Sequence, residues 1–314
     1  MLTQNSTLAL KAPSPLFPGA TVALLCPSSP VSAQRRGAAA ASVAALGLKP
    51  ILFDSAFASR GYLAGSDAQR AADFSRAFAD PAIDGVLALR GGYGAHRILP
   101  LIDWDAIAKH PKYFGGYSDI TALHIALNQR CGLVTYHTIM PASNYDTSID
   151  AYSMDFLKRA LFGGLHGSVE NPPGQKLKPL SGGRVTAPLC GGNLSVLTAS
   201  LGTPFQLDTR GKILFLEDVN EPHSRIDTMV TQLRNAGLLD QCAGILLGAF
   251  TDGPPVPAEE TIPLEEIMRD LLPSGKPIVS GLACGHVLPS MALPMGAVLS
   301  MDADRQTLEL QKGR

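Results

Sequence analysis

The sequence lacks an excess of either charge, a long apolar run, paired cysteines and any metal-ligand spacing. Each absence closes off a class of function. Lys and Arg number 26 against 27 Asp and Glu, a net charge of −1 with the seven histidines neutral. A protein that binds nucleic acid through its phosphates carries a basic excess or a basic stripe, so no nucleic-acid partner is expected. No apolar stretch approaches the roughly 18 residues that span a bilayer, so no membrane partner is expected either. The opening MLTQNSTLALK has no basic segment, and the first apolar run, Thr21 to Cys26, is too short for a secretory signal. A cytoplasmic location is the expectation. Cysteine is scarce: Cys26, Cys131, Cys190, Cys242 and Cys284 form no CxxC pair and are odd in number. Reduced, mostly buried thiols are expected, not a disulfide framework or a zinc site. H-E-x-x-H is absent as well, and neither a metal nor a cofactor is expected.

What is present is a folding composition, 46% hydrophobic and 17% charged, with 314 residues for one large domain or two ordinary ones. The first half alternates strand and helix patterns. Thr21 to Cys26 is an apolar run ended by Pro27-Ser28-Ser29-Pro30. An Ala-rich helix follows, from about Gln34 to Leu46. Pro50 to Phe53 reads as the next strand. Ser66 to Gln69 is a capping box that opens a helix ending near Ala79, before Asp80-Pro81. Val86 to Leu89, Lys112 to Gly116 and Leu133 to Tyr136 read as further strands, with a helix over Asp119 to Gln129. Such alternation predicts βαβ units around a parallel sheet.

In that architecture the working loops lie at the carboxyl ends of the strands. The Gly/Pro-rich stretch from Gly163 to Gly183 reads as a linker region. Beyond it, Lys212 to Leu216 and Ile245 to Phe250 read as strands, Ser224 to Ala236 as a helix, and Val298 to Met301 with Thr307 to Leu310 as a closing hairpin.

Three loops draw attention. In Gly116-Tyr117-Ser118-Asp119 a serine sits on a strand-to-helix turn, beside the free N–H groups and positive dipole of a helix start. From this segment alone Ser118 is either a helix cap or a nucleophile. Arg90-Gly91-Gly92-Tyr93-Gly94 is no phosphate loop, but its glycines let backbone amides approach a ligand. Pro27 to Pro30 is a wall of a site or a plain turn.

A serine nucleophile needs a base, and the base an orienting acid. Of the histidines, His137 at a strand end and His286 after Gly285 are the candidates. In Ile213-Leu214-Phe215-Leu216-Glu217-Asp218, apolar residues lead into two carboxylates at a strand end, and a carboxylate placed there wants a partner. Asp218 suits a turn or capping role better than Glu217.

Taken together, Arg90 to Gly94, Gly116 to Thr121, Gly191-Gly192-Asn193-Leu194, Leu216-Glu217-Asp218-Val219 and Gly285-His286-Val287 resemble the LD-carboxypeptidases. This serine-peptidase family also includes the microcin C immunity peptidases. The resemblance runs from about Pro18 to the C-terminal hairpin. It implies an α/β fold with a Rossmann-like parallel-sheet N-terminal domain and a mixed, β-rich C-terminal domain. Residues 1–165 would carry the nucleophile, 166–183 the linker, and 184–314 the acid and base. It implies a triad of Ser118, Glu217 and His286, with the backbone N–H groups of Gly92 and Asp119 as the oxyanion hole. It also implies a homodimer, no cofactor or metal, and a small peptide substrate, above all the murein tetrapeptide, cut to release terminal D-Ala in wall recycling.

Two alternatives stand beside this. One is the same chemistry on a peptidyl-nucleotide antibiotic or another acyl conjugate. The other is an inactive ligand-binding protein. Two segments depart from the usual family pattern: His137-Thr138-Ile139-Met140, and His223-Ser224 before Arg225. Both fall near the expected substrate walls.

Overall fold

The structure, a computed structural model, describes residues 10–145, 149–253, 255, 257 and 261–312. The first half supplies strands β1 (Thr21–Leu25), β2 (Lys49–Leu52), β3 (Gly85–Ala88), β4 (Tyr113–Gly116) and β5 (Thr135–His137). The second supplies β6 (Gly167–Val169), β7 (Lys178–Ser181), β8 (Arg184–Asn193), β9 (Ile213–Val219), β10 (Gly244–Thr251), β11 (Ile278–Ser280), β12 (Leu293–Met295), β13 (Val298–Asp302) and β14 (Thr307–Leu310). Among the described residues these form a six-stranded sheet, ordered β12-β5-β4-β3-β1-β2, and an eight-stranded sheet, ordered β6-β14-β13-β8-β9-β10-β11-β7.

In the first sheet β1 to β5 are parallel, and β3 and β4 are buried throughout. That is why they read as short unbroken apolar runs instead of alternating ones. Ser32 and Ser66 cap the first two long helices, accepting from Arg35 N at 3.3 Å and Gln69 N at 3.1 Å. The helix Asp67–Ala79 lays Phe74 and Phe78 against Phe114 of β4, with ring centroids 5.4 and 6.3 Å apart. The strand order reverses between β1 and β3, the position where doubly wound sheets open a crevice at their carboxyl ends. The second sheet is mixed: β8 to β11 are parallel, and the outer strands antiparallel.

Two readings change and one link between the sheets is new. The stretch 166–183, read as a linker, also supplies β6 and β7. Both lie at edges of the second sheet, where Pro179 within β7 is tolerated because an edge strand need not donate to a second neighbour. The strand read as ending at Leu216 continues to Val219, so Glu217 and Asp218 lie inside β9. Pairing with β8 on one side and β10 on the other extends it past the apolar run. Finally, β12 comes from the second half of the chain yet pairs antiparallel with β5, Leu293 opposite His137. The loop from β11 to β12, which contains His286, is therefore anchored in the second sheet at one end and the first at the other.

Candidate active site

Ser118 follows β4 through extended Tyr117 and enters a 3-10 turn, Ser118–Ile120, before the helix Thr121–Cys131. Its φ is +67°, a left-handed conformation that strains a residue with a side chain. The surroundings hold it there. His124 Nε2 donates to Gly116 O at 2.8 Å, with Nδ1 accepting from Thr135 Oγ1 at 2.9 Å, and Thr138 N donates to the same carbonyl at 3.1 Å. The capping alternative is not realised, because the turn has no side-chain capping bond. Ser118 lies half-buried just beyond the end of β4.

Across the crevice, Gly92 has φ +116°, and a Cβ there would collide with Ser29 Oγ, so only glycine fits. Ser29 N donates to Gly91 O at 3.4 Å, and Ser29 Oγ accepts from Tyr93 N at 3.1 Å. The buried Asp119 carboxylate accepts from Ala95 N at 2.9 Å, tying the glycine loop to the serine turn; burial pushes its pKa up. The amides of Gly92 and Asp119 donate to no acceptor among the described residues.

The candidate acid and base come from the second sheet and the loop after it. Glu217 is fully buried in β9, and its Oε2 accepts from His286 Nδ1 at 2.7 Å and from His286 N at 3.2 Å. This bond fixes the proton on Nδ1 and leaves the Nε2 lone pair free. Gly285, at φ +110°, makes the approach possible: a Cβ there would lie 2.5 Å from Glu217 Oε2. Thr251 Oγ1 donates to His286 O at 2.8 Å. The His286 ring packs 4.7 Å from the ring of Tyr117, the residue before Ser118. No hydrogen bond joins Ser118 to His286; such bonds are often long before substrate arrives.

The competing candidates are elsewhere. His137 is buried behind Tyr117 and Phe215, at ring distances of 5.8 and 5.3 Å, and neither ring nitrogen has a partner among the described residues. Burial holds its pKa well below the usual histidine range. Asp218 points away from Glu217, as successive strand residues do, and accepts from Asn193 Nδ2 at 3.0 Å and from Ser195 N and Val219 N at 2.8 Å. Trp104 packs on Phe74 and Phe205, away from the site. The five cysteines are free thiols, four of them buried. No described helix is long and apolar enough to cross a membrane.

At the ends of β9 and β10, on the side of Thr251 that bonds His286 O, a small dent is lined by Asp218, Glu221, His223, Ile226, Phe250, Thr251 and Gly253. The His223 departure therefore lines this dent. Sequence reasoning missed Tyr117 and the tethering role of β12. No local pattern marks a three-residue strand that pairs with a partner more than 150 residues away.

The geometry agrees with the comparisons to known proteins. Residues 22–138 match the LD-carboxypeptidase N-terminal domain, and residues 186–301 the LD-carboxypeptidase C-terminal domain. The chain is 39% identical over 305 residues to a probable murein peptide carboxypeptidase of Bacillus subtilis, covering 96% of this chain and 94% of that one. It is 26% identical over 275 residues to the microcin C7 self-immunity protein of Escherichia coli, covering 79% and 80%. Its fold matches the crystal structure of the muramoyltetrapeptide carboxypeptidase of Oxalobacter formigenes with a TM-score of 0.81 at 26% identity, covering 93% and 99%. With both family domains matched in order and a relative of this likeness along nearly its whole length, the chain belongs to the LD-carboxypeptidase family.

Proposed function

We propose that the protein is a serine carboxypeptidase that hydrolyses an L,D amide bond and releases terminal D-Ala from murein tetrapeptide. The observation that carries this reading is the Glu217–His286 pair, bonded at 2.7 Å, with its ring against the residue that precedes Ser118. Ser118 Oγ attacks the carbonyl carbon while His286 Nε2 takes its proton. Glu217 holds the imidazole in the tautomer that makes this possible and stabilises the cation. The tetrahedral oxyanion is met by the Gly92 and Asp119 amides. His286 then protonates the leaving amine, and water, deprotonated by the same imidazole, releases the peptide acid from Ser118. The protein would work as a cytoplasmic homodimer on a small peptide, without a metal.

The likeness to a murein peptide carboxypeptidase, 39% identical over 96% of this chain, against 26% over 79% for the microcin C7 immunity protein, favours a wall peptide over a peptidyl-nucleotide. The test is incubation with murein tetrapeptide and tripeptide, read by mass spectrometry. Loss of one Ala from the tetrapeptide alone is expected. An intact tetrapeptide with a cleaved aminoacyl-nucleotide would transfer the chemistry to the second substrate class. Turnover of neither would return the ligand-binding alternative.

A further inference from the structure

The helix Asp67–Ala79 buries two charged residues, Arg70 and Asp73, together with Ala71, Phe74, Ala77 and Phe78. Arg70 is wholly buried. A guanidinium stripped of water needs acceptors for its donors. Here they are two loop carbonyls and a carboxylate, with Nε left without a partner among the described residues. Nη1 donates to Pro27 O, just past β1, and to Gly94 O, just past β3, the latter at 2.9 Å. Nη2 donates to Asp67. Asp67 is gripped in turn by Arg97, with Nε 3.0 Å from both carboxylate oxygens and Nη2 2.7 Å from Oδ2.

Those two carbonyls belong to the two loops that face each other where the strand order reverses. One loop carries Ser29 and the other Gly92. Among the described residues the other bonds between them are Ser29 N to Gly91 O and Arg90 Nη1 to Pro30 O, both long at 3.4 Å, and Tyr93 N to Ser29 Oγ at 3.1 Å. An apolar side chain could fill the volume of Arg70 without the cost of burying a charge. It would leave both loop carbonyls without this donor.

We propose that Arg70 is a positioning residue for the Gly92 amide. By holding Pro27 O and Gly94 O on one guanidinium, it fixes the spacing of the two loops and so the direction of the Gly92 N–H. Asp67 and Arg97 keep the guanidinium from turning. The proposal rests on the assignment of that amide to the oxyanion hole. An oxyanion donor acts in the transition state and not in substrate binding. A loosened clamp therefore lowers kcat and leaves KM. A packing role would lower melting temperature and leave kcat per folded molecule unchanged.

The experiment compares Arg70→Met, Arg70→Lys, Asp67→Asn and Gly92→Ala on murein tetrapeptide, with kcat, KM and melting temperature measured for each. Deleting an oxyanion donor costs about 10²–10³-fold in kcat, and a misaimed donor costs less. Arg70→Met should lose about 10- to 100-fold in kcat with KM within about twofold, Arg70→Lys less, and Asp67→Asn about threefold. A folded Arg70→Met with wild-type kcat overturns the proposal. So does an equal rise of KM at constant kcat. If Arg70→Met does not fold, Asp67→Asn decides by the same criteria, because Asp67 is partly exposed. Gly92→Ala separates the two levels. If Gly92→Ala is crippled while Arg70→Met is normal, only the clamp fails. If Gly92→Ala turns over normally, the oxyanion assignment fails and takes the clamp with it.

Discussion

The first sheet holds its share of the site by backbone conformation, and the second by side-chain hydrogen bonds. Ser118 stands at φ +67° on a turn pinned through Gly116 O, and Gly92 at φ +116° against Ser29. The groups proposed to act there, one hydroxyl and two amides, have no internal partner among the described residues. On the second sheet the useful groups already have their partners. Glu217 is wholly buried and twice bonded to His286. The lesson is that the two halves should fail differently. The first is sensitive to side-chain size and backbone strain, the second to charge and proton placement.

The sharpest test of that difference changes charge alone. Glu217→Gln keeps the shape but presents an amide to His286 Nδ1. In a serine protease the equivalent change costs about 10⁴-fold in turnover through the wrong tautomer, and a similar loss is expected here with the fold retained. Steady-state kinetics and circular dichroism check it. Gly92→Val attacks the backbone-held half. Strain and collision with Ser29 should displace the amide and cost about 10²–10³-fold in kcat. Near-normal turnover would remove the glycine loop from the mechanism and erase the contrast between the halves.

Asp218→Asn tests whether the second half depends on a single carboxylate. An amide there would turn a donor toward one of the N–H groups that Asp218 now accepts from. The expected result is a loss of about 1–3 kcal/mol in stability, read by denaturant unfolding, with most turnover kept.

The smallest effect on turnover is expected at His137, the alternative base. His137→Phe should keep activity within several-fold, since the ring makes no hydrogen bond among the described residues. Its signature lies in stability against pH. His124, buried beside it, is pushed down to about 4, and burial also depresses His137. An unfolded histidine titrates near about 6.5. Between these values the unfolded chain binds more protons, so stability is full above about pH 6.5 and falls as pH drops toward about 4, by about 3 kcal/mol from His124 alone. Melting curves should show this acid limb in the wild type and a shallower one in His137→Phe.

The same contrast explains what could be read from sequence. The inner parallel strands β1, β3 and β4 of the first sheet are buried on both faces and bounded by Gly and Pro, so they stand out as apolar runs, whereas the edge strand β2 does not. The loops that follow them are where the doubly wound rule places a site. Ser118 was visible as a position, but its unused hydroxyl and positive φ are tertiary facts; the segment equally permitted a cap. In the second half, β6, β7, β11 and β12 are three or four residues long and take their identity from partners. The Glu217–His286 pair spans 69 residues. Local pattern reduced the histidines to two and leaned toward Glu217; the likeness to a family chose His286. Arg70 lies in the buried stripe of its helix, which also holds Asp73, so its charge stands out little there, and only the loop carbonyls give it a meaning.

The central claim is that one site is assembled across the two sheets, with Ser118 as the nucleophile and Glu217–His286 as its activator. A fluorophosphonate probe, with the adduct located by tandem mass spectrometry and its rate followed in each variant, tests this most directly. The account predicts a single adduct on Ser118, none in Ser118→Ala, much slower labelling in Glu217→Gln and nearly unchanged labelling in Asp218→Asn. An adduct on another residue, or slow labelling in Asp218→Asn with normal labelling in Glu217→Gln, would contradict it.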